Sequence, residues 1–352
     1  VPEALFSLGE YYFEEHDMIM AKKFYNQAAR YSDHQIYPYA VYKLGWTYYN
    51  FPAESEEQQQ MKFKKAITAF KLVVKLASIK SKEEDRRIYL RQEAINDLVT
   101  VWAETKDVES AWNYFRKIGD KEAFYRMLEK LGAIYVNNGE LKDAAQVYSR
   151  ILKEVPNRES NVDNHKELVN IYKERNMHGQ VVKNARAMAE LYLAGGAWYK
   201  ANQKDKDLTA AAQDDVESNI HRWAATYHDE AIKRKGKSDE LYKVAAKLYM
   251  TYLAKFPKNP KAYELRYLLA EALYSLKKYD AAATQFMMVV AQNKTGGKYR
   301  EKSALGAVEA MARVVTAGKY PKVPDAGKVP KPLKIPKSKL KYRKALDQYV
   351  GL

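Results

Sequence analysis

The sequence predicts an all-α protein built as a solenoid of antiparallel helix pairs. Three observations carry that expectation. One spacing of apolar and small residues recurs along most of the chain. Its 352 residues exceed the roughly 250–300 at which a single core stops growing, which leaves two domains or a repeat array. Hydrophobic residues at 47% beside charged ones at 30% describe a folded chain, not a disordered one. No apolar run approaches the ~18 residues of a membrane span. With no Cys, disulfide scaffolds, thiolate metal sites and cysteine nucleophiles are excluded.

The repeat is followed in chain order. Leu8-Gly9 is followed by Tyr12, Ala21, Tyr25 and Ala28. Leu44-Gly45 and Tyr48 lead to Ala66, Phe70 and Val73, nine residues late. The original spacing returns at Leu98 (Trp102, Ala111, Phe115, Ile118) and at Leu131-Gly132 (Tyr135, Ala144, Tyr148, Ile151, Pro156). Leu168 is followed by Tyr172, Val181, Ala185 and Met188. Trp223-Ala224 and Tyr227 reach Ala245, Tyr249, Tyr252 and Pro257, again nine late. Leu269-Ala270 is followed by Leu273, Ala282, Phe286 and Val289, and an eighth first half starts at Leu305-Gly306.

Offsets of three and four mark one apolar face of a helix. Small residues at fixed places let two helices approach closely, and segments such as Asn137-Asn138-Gly139 supply the turn between them. A single pair cannot bury its face alone, so neighbours stack into one core. Nine extra residues are about two and a half helical turns, so the second and sixth units are expected to have elongated helices.

This pattern resembles the tetratricopeptide repeat family, over roughly residues 2–315, with the unit from Leu131 to Pro156 matching its signature best. The resemblance implies a right-handed superhelical solenoid of about eight helix pairs over 1–316 that binds other proteins in its concave groove and performs no catalysis. The stretches Ala40–Tyr49 and Phe256–Phe286 resemble tetratricopeptide proteins of the bacterial cell envelope, including those of gliding or predatory bacteria. That narrower resemblance implies a periplasmic scaffold or adaptor. Cytoplasmic members share the signature positions, so the cytoplasm is the alternative. No leader segment is present, and a chain starting at Val1 reads as trimmed.

In this family positions two, five, nine and twelve of the first helices face the groove. The resemblance therefore implies a partner-binding trough of Tyr39, Tyr42, Trp46 and Tyr49 in the second unit, with Phe6 and Phe13 in the first. Glu3, Glu10 and Glu14 surround those two phenylalanines. The seventh unit contributes Tyr267 and Tyr274 beside Glu264 and Glu271. Tyr and Trp offer large contact area with a polar tip, as binding surfaces require. The same spacing also suits plain core packing; replacing Tyr42 and Trp46 together by Ala should then cost stability instead of affinity. A carboxylate clamp known in the family is incomplete here: Lys166 and Asn170 match, but Arg222 and Leu268 do not.

The net charge of +16 is uneven. Residues 319–344 hold nine Lys, one Arg, one Asp and five of the eleven Pro. Proline removes donors and forbids helix, so 317–337 reads as a basic extended strap. Ser338 is placed to cap a helix over 338–352 whose Tyr342, Ala345, Leu346 and Tyr349 share a face. Three roles stand open: a linker ending in a capping helix, a strap laid in a groove, or a polybasic arm. The arm would use Lys328, Lys331, Lys334, Lys337, Lys339, Lys341, Arg343 and Lys344 to tether an acidic protein, a membrane surface or nucleic acid.

No cofactor, metal or catalytic site is expected. His221 and His228 lie seven apart without a carboxylate constellation of metal spacing or an HExxH motif, and a solvent-facing or capping role is favoured for them. Thr295-Gly296-Gly297-Lys298 lacks the spacing of a phosphate loop and reads as a helix-ending turn. Sequence-specific nucleic-acid reading is not expected either, because the groove positions are Tyr, Trp and Glu with no repeated polar code, and the glutamates repel phosphate.

Overall fold

The structure, a computed structural model, describes residues 1–77, 84–234, 236, 238–292, 297–320 and 334–352. Among the described residues it is all-α, a helical solenoid of seventeen helices without a strand. Two compact units divide it, residues 1–154 and 155–352. That boundary falls inside the single stretch, 1–316, over which the repeat is read from the sequence.

In the first unit α1 (Pro2–Glu14) pairs with α2 (Met18–Ala28), and α3 (Tyr37–Tyr49) with the long α4 (Glu56–Leu76). α5 (Glu84–Thr105) and α6 (Val108–Ile118) follow, then α7 (Lys121–Asn137) against α8 (Leu141–Glu154). In the second unit α9 (Asn161–Glu174) pairs with α10 (His178–Leu191), and α11 (Ala197–Asn202) leads into α12 (Lys206–Lys233). α12 packs on α13 (Asp239–Lys255), α14 (Ala262–Ser275) on α15 (Tyr279–Gln292), and α16 (Arg300–Ala317) carries α17 (Lys337–Val350).

The repeat positions are the core. Ala21, Tyr25, Phe70, Val73, Ala111, Phe115, Ala144, Ile151, Ala185, Met188, Ala245, Tyr249, Ala282 and Val289 are all fully buried. The glycine after the leucine is required by close approach: a Cβ on Gly132 would stand 2.9 Å from the ring of Tyr148, and one on Gly45 2.8 Å from Phe70. Leu8 and Leu305 depart from the pattern and are exposed.

The extra residues of the two long units are distributed differently. In the second unit of the repeat they lengthen the loop before α4 and the start of α4. In the sixth they lengthen the end of α12, the following loop and the start of α13. α11 has no counterpart in the repeat as read from sequence.

A shared turn emerges eight residues past each leucine of the regular units. His16, Lys106, Asn176 and Lys277 have φ of 59°, 55°, 54° and 58°, and Gly139 in the same place has 76°. The residue after it closes the helix with a bond back to a carbonyl five residues earlier: Asp17 to Tyr12, Glu140 to Tyr135, Met177 to Tyr172 and Lys278 to Leu273, at 2.8–2.9 Å. This is the left-handed C-terminal cap that favours glycine. Lys277→Gly is therefore expected to raise stability by about 0.5–1 kcal/mol, and Gly139→Ala to lower it by a similar amount. Urea-denaturation midpoints of the two variants check both signs.

At the C-terminus α17 starts at Lys337, one residue before the expected start, and Ser338 is not its cap. The Ser338 hydroxyl instead pairs with that of Tyr320 at 2.9 Å. Ala345 is buried and Tyr342 packs against the core, while Leu346 and Tyr349 are exposed, so only part of the expected apolar face is used. Residues 321–333 of the strap lie outside the described residues, and with them Lys328 and Lys331.

Candidate functional site

α3 carries two opposed faces. At 100° per residue, Tyr37, Val41, Leu44 and Tyr48 fall on one side, and Tyr39, Tyr42, Trp46 and Tyr49 on the other. All four residues of the second face are half-buried. The Tyr42 hydroxyl donates to Asp97 Oδ2 at 2.6 Å, and the Trp46 indole donates to the same oxygen at 3.1 Å. Tyr49 donates to Glu104 Oε1 at 3.3 Å. Burial pushes the phenols of Tyr42 and Tyr49 up, and the carboxylates beside them, Asp97 and Glu104, push the same way.

Asp97 and Glu104 were not singled out from the sequence. The signal was present: Glu93, Asp97, Thr100 and Glu104 recur at i, i+4, i+7 and i+11, one face of α5. On the other side of the aromatic row, Glu10 of α1 takes the Lys43 ammonium at 2.9 Å and the Tyr25 hydroxyl. The three helices thus present aromatic rings between two rows of carboxylates.

The rings also support the core beneath them. Tyr42 and Trp46 stand edge-on to the buried Phe70 at 5.6 and 5.8 Å, and Tyr49 lies 5.6 Å from Phe63. Double replacement of Tyr42 and Trp46 by Ala must therefore cost stability. Phe6 and Phe13 are half-buried against Ala21, Tyr25 and Leu44, with Phe6 5.6 Å from the Tyr25 ring. Tyr39 is the member of the row with its ring freest of such contacts among the described residues.

Tyr267 and Tyr274 belong to the second unit and are described with it. Tyr267 stacks on Tyr299 at 4.5 Å and packs near Phe286, and burial with the Glu271 carboxylate pushes its phenol up to about 12. Tyr274 sits edge-on to Tyr279 at 5.1 Å.

Of the basic tail, Lys341 is a structural anchor: its ammonium donates to the backbone oxygen and Oδ1 of Asp280, both at 2.8 Å, and to Thr284 Oγ1 at 2.6 Å, tying α17 to α15. Arg343 faces Asp347 at 3.8 Å, and Lys339 lies 4.4 Å over the Tyr320 ring. Lys334, Lys337 and Lys344 are exposed.

The histidines correct the sequence reading. His228 is buried and its Nδ1 lies 3.1 Å from the Tyr249 hydroxyl, while His221 is half-buried beside the Tyr252 ring. Packing of α12 against α13 leaves His228 no route to solvent, whereas His221 stays partly exposed. Among the described residues no group of three or more His, Asp or Glu could hold a metal ion. Thr295 and Gly296 lie outside the described residues. No described helix is long and apolar enough to cross a membrane.

Residues 239–296 match the tetratricopeptide repeat family model. Among solved structures, the chain is similar to a circular tandem repeat protein with novel repeat topology, at 12% identity over 99% of this chain and 87% of that one, TM-score 0.31. It is also similar to the tetratricopeptide domain of P58(IPK), at 12% identity over 99% and 98%, TM-score 0.23. Comparison with curated protein sequences found no match. Repeats of this family generally mediate protein–protein interaction and are typically non-catalytic. The matched segment spans α13 to α15, and the same small, aromatic and apolar positions fill the core of the other helix pairs; residues 239–296 are thus similar to the tetratricopeptide repeat.

Proposed function

We propose that this chain is a non-catalytic scaffold that captures a partner protein along the aromatic face of α3. What supports the reading is the row Tyr39, Tyr42, Trp46 and Tyr49, half-buried and edged by Asp97 and Glu104 on one side and Glu10 on the other. Rigid aromatic rings supply contact area at low entropic cost, and carboxylates at the margin favour a segment whose apolar residues are flanked by Lys or Arg. Tyr267 and Tyr274 offer a further aromatic surface in the second unit. Envelope membership, with a periplasmic setting, rests on the resemblance of Ala40–Tyr49 and Phe256–Phe286 alone; fractionation of the native host tests it.

Asp97→Asn keeps an acceptor for Tyr42 and Trp46 but removes the charge, and Tyr39→Ala removes contact area with little loss of core packing. Peptides selected from a displayed library on the intact protein should be rich in Lys, Arg and bulky apolar residues. Their affinity should fall about tenfold in each variant, with unchanged melting. Affinity unaffected by both substitutions would overturn the reading.

The second reading, an electrostatic tether, draws on the exposed Lys334, Lys337 and Lys344 beside Arg343. It requires an acidic partner whose binding weakens steeply with salt and is lost with α17, while Asp97→Asn leaves it intact.

A further inference from the structure

The other face of α3 floors a separate feature. α2 and α4 both pack on α3 but make little contact with each other. α2 has 11 residues and α4 has 21, so the shorter helix cannot cover the flank of the longer one. A cleft of about 520 Å³ lies along α3 and α4 and is edged by Ala29, the residue that ends α2, with Val41, Leu44 and Ala69 at its floor. Along its α4 wall run Met61, Lys65, Thr68 and Leu72, at i, i+4, i+7 and i+11, and all four are exposed. A smaller cleft of about 270 Å³ continues it past Tyr48 and Met61 to Phe51.

The charge around this pair of clefts has one sign. Lys64 and Lys65 line the larger, and Lys22, Lys62 and Lys65 the smaller, with no carboxylate lining either. Two of these ammonium groups sit over the aromatic walls, Lys22 at 4.3 Å from the Phe51 ring and Lys65 at 6.0 Å from Tyr48. Lys62 donates to the Phe51 carbonyl at 3.1 Å. Among the described residues none of the four is seen in an ion pair. An apolar trough under four uncompensated cations is complementary to a chain that alternates apolar and acidic groups.

We propose that this cleft binds an acidic amphipathic helix of a partner protein. Apolar side chains of that helix enter between Leu44, Ala69 and Leu72, and its Asp and Glu residues meet Lys22, Lys62, Lys64 and Lys65. The site is on the opposite side of α3 from Tyr42 and Trp46 and does not depend on them, so one chain holds two partners of opposite charge preference.

The test uses the intact protein and a fluorescent synthetic helical peptide with Leu on one face and Glu on the other, read by anisotropy. A peptide with Lys in place of every Glu is the control. The acidic peptide binds saturably and the basic one does not. Lys64→Glu combined with Lys65→Glu weakens the acidic peptide at least about tenfold, as does Thr68→Glu, whose side chain is exposed. Asp97→Asn and Tyr39→Ala leave this affinity unchanged, which separates it from binding on the aromatic face. The proposal is overturned by absent saturation, by equal affinity after the double lysine reversal, or by sensitivity to Asp97→Asn. It is equally overturned if anionic phospholipid vesicles bind more tightly than the peptide, or if the chain self-associates and Thr68→Glu abolishes that association.

Discussion

Trp198→Ala is expected to lower the stability of the second compact unit by about 3–5 kcal/mol, the cost of truncating a fully buried large aromatic. Trp198 is completely enclosed although it sits on α11, a helix of six residues that could not persist alone. Its indole donates to the Arg158 carbonyl at 2.7 Å, and its ring meets Tyr192 edge-on at 5.2 Å. From the same helix, Asn202 donates to the Asn157 carbonyl at 3.1 Å. The short helix thus ties the entry of α9 to the exit of α10, and the tryptophan is what holds it there. Trp198→Phe keeps an aromatic ring and removes one of two donors to the Arg158 carbonyl, which still accepts from the Asn161 N–H at 3.1 Å, so it should lose less, about 0.5–1.5 kcal/mol. Urea denaturation followed by far-ultraviolet circular dichroism checks the order wild type, Phe, Ala. Equal midpoints for all three would mean that α11 contributes no packing to the unit.

The second large effect is a loss of stability between neutral pH and pH 4 that traces to His165. This residue is buried on α9, with Nδ1 3.1 Å from the Tyr192 hydroxyl and Nε2 3.2 Å from Asn184 Oδ1. The Asn184 amide nitrogen donates to the Gln180 carbonyl at 2.8 Å, which leaves Oδ1 to accept from the ring. Burial pushes the imidazole down to about 4, against a smaller upward pull from Asn184. In the unfolded chain the value returns to about 6.5.

Above pH ~6.5 both states are neutral at this site and it adds no pH dependence. Between about 6.5 and 4 the unfolded chain takes up a proton that the folded one refuses, so stability falls by about 1.4 kcal/mol per unit. The loss reaches about 2 kcal/mol at pH 5 and about 3 kcal/mol near pH 4, then levels off. His228, also pushed down by burial, acts in the same direction. Denaturation at about pH 7 and pH 5 should show this extra loss in wild type and largely not in His165→Gln, which cannot titrate. Identical pH slopes for the two proteins would contradict a neutral buried His165.

Trp198 and His165 mark where sequence reading stops. Both lie at the junction of α9, α10 and α11, where the chain leaves the repeat. A periodic template has no slot for a six-residue helix, and buried polar pairing such as His165 with Asn184 follows from which helices meet, not from spacing. His228 misled for the same reason. Its position on α12 carries no mark of the Tyr249 ring that covers it from α13. Asp97 and Glu104 were visible as a stripe on α5, but their meaning needed α3 beside them to supply Tyr42, Trp46 and Tyr49.

The sequence by itself determined the helix pairs, their order and their core, because stacking requires small, aromatic and apolar residues at fixed offsets and Ala21, Phe70, Tyr249 and Ala282 satisfy it locally. It also located the turn at Asn137-Asn138-Gly139, while the left-handed caps of the other regular units, at His16, Lys106, Asn176 and Lys277, carry no glycine to mark them. Only the tertiary structure decided which side chains face solvent and which face a neighbour. It turned Lys341 from a tether into an anchor on Asp280, gave the rings of α3 acidic partners, and opened the lysine-rimmed cleft along α3 and α4. Those outcomes depend on the lengths and separations of packed helices, which a repeat signature leaves unspecified because it encodes the contacts inside a pair and not the gaps between them.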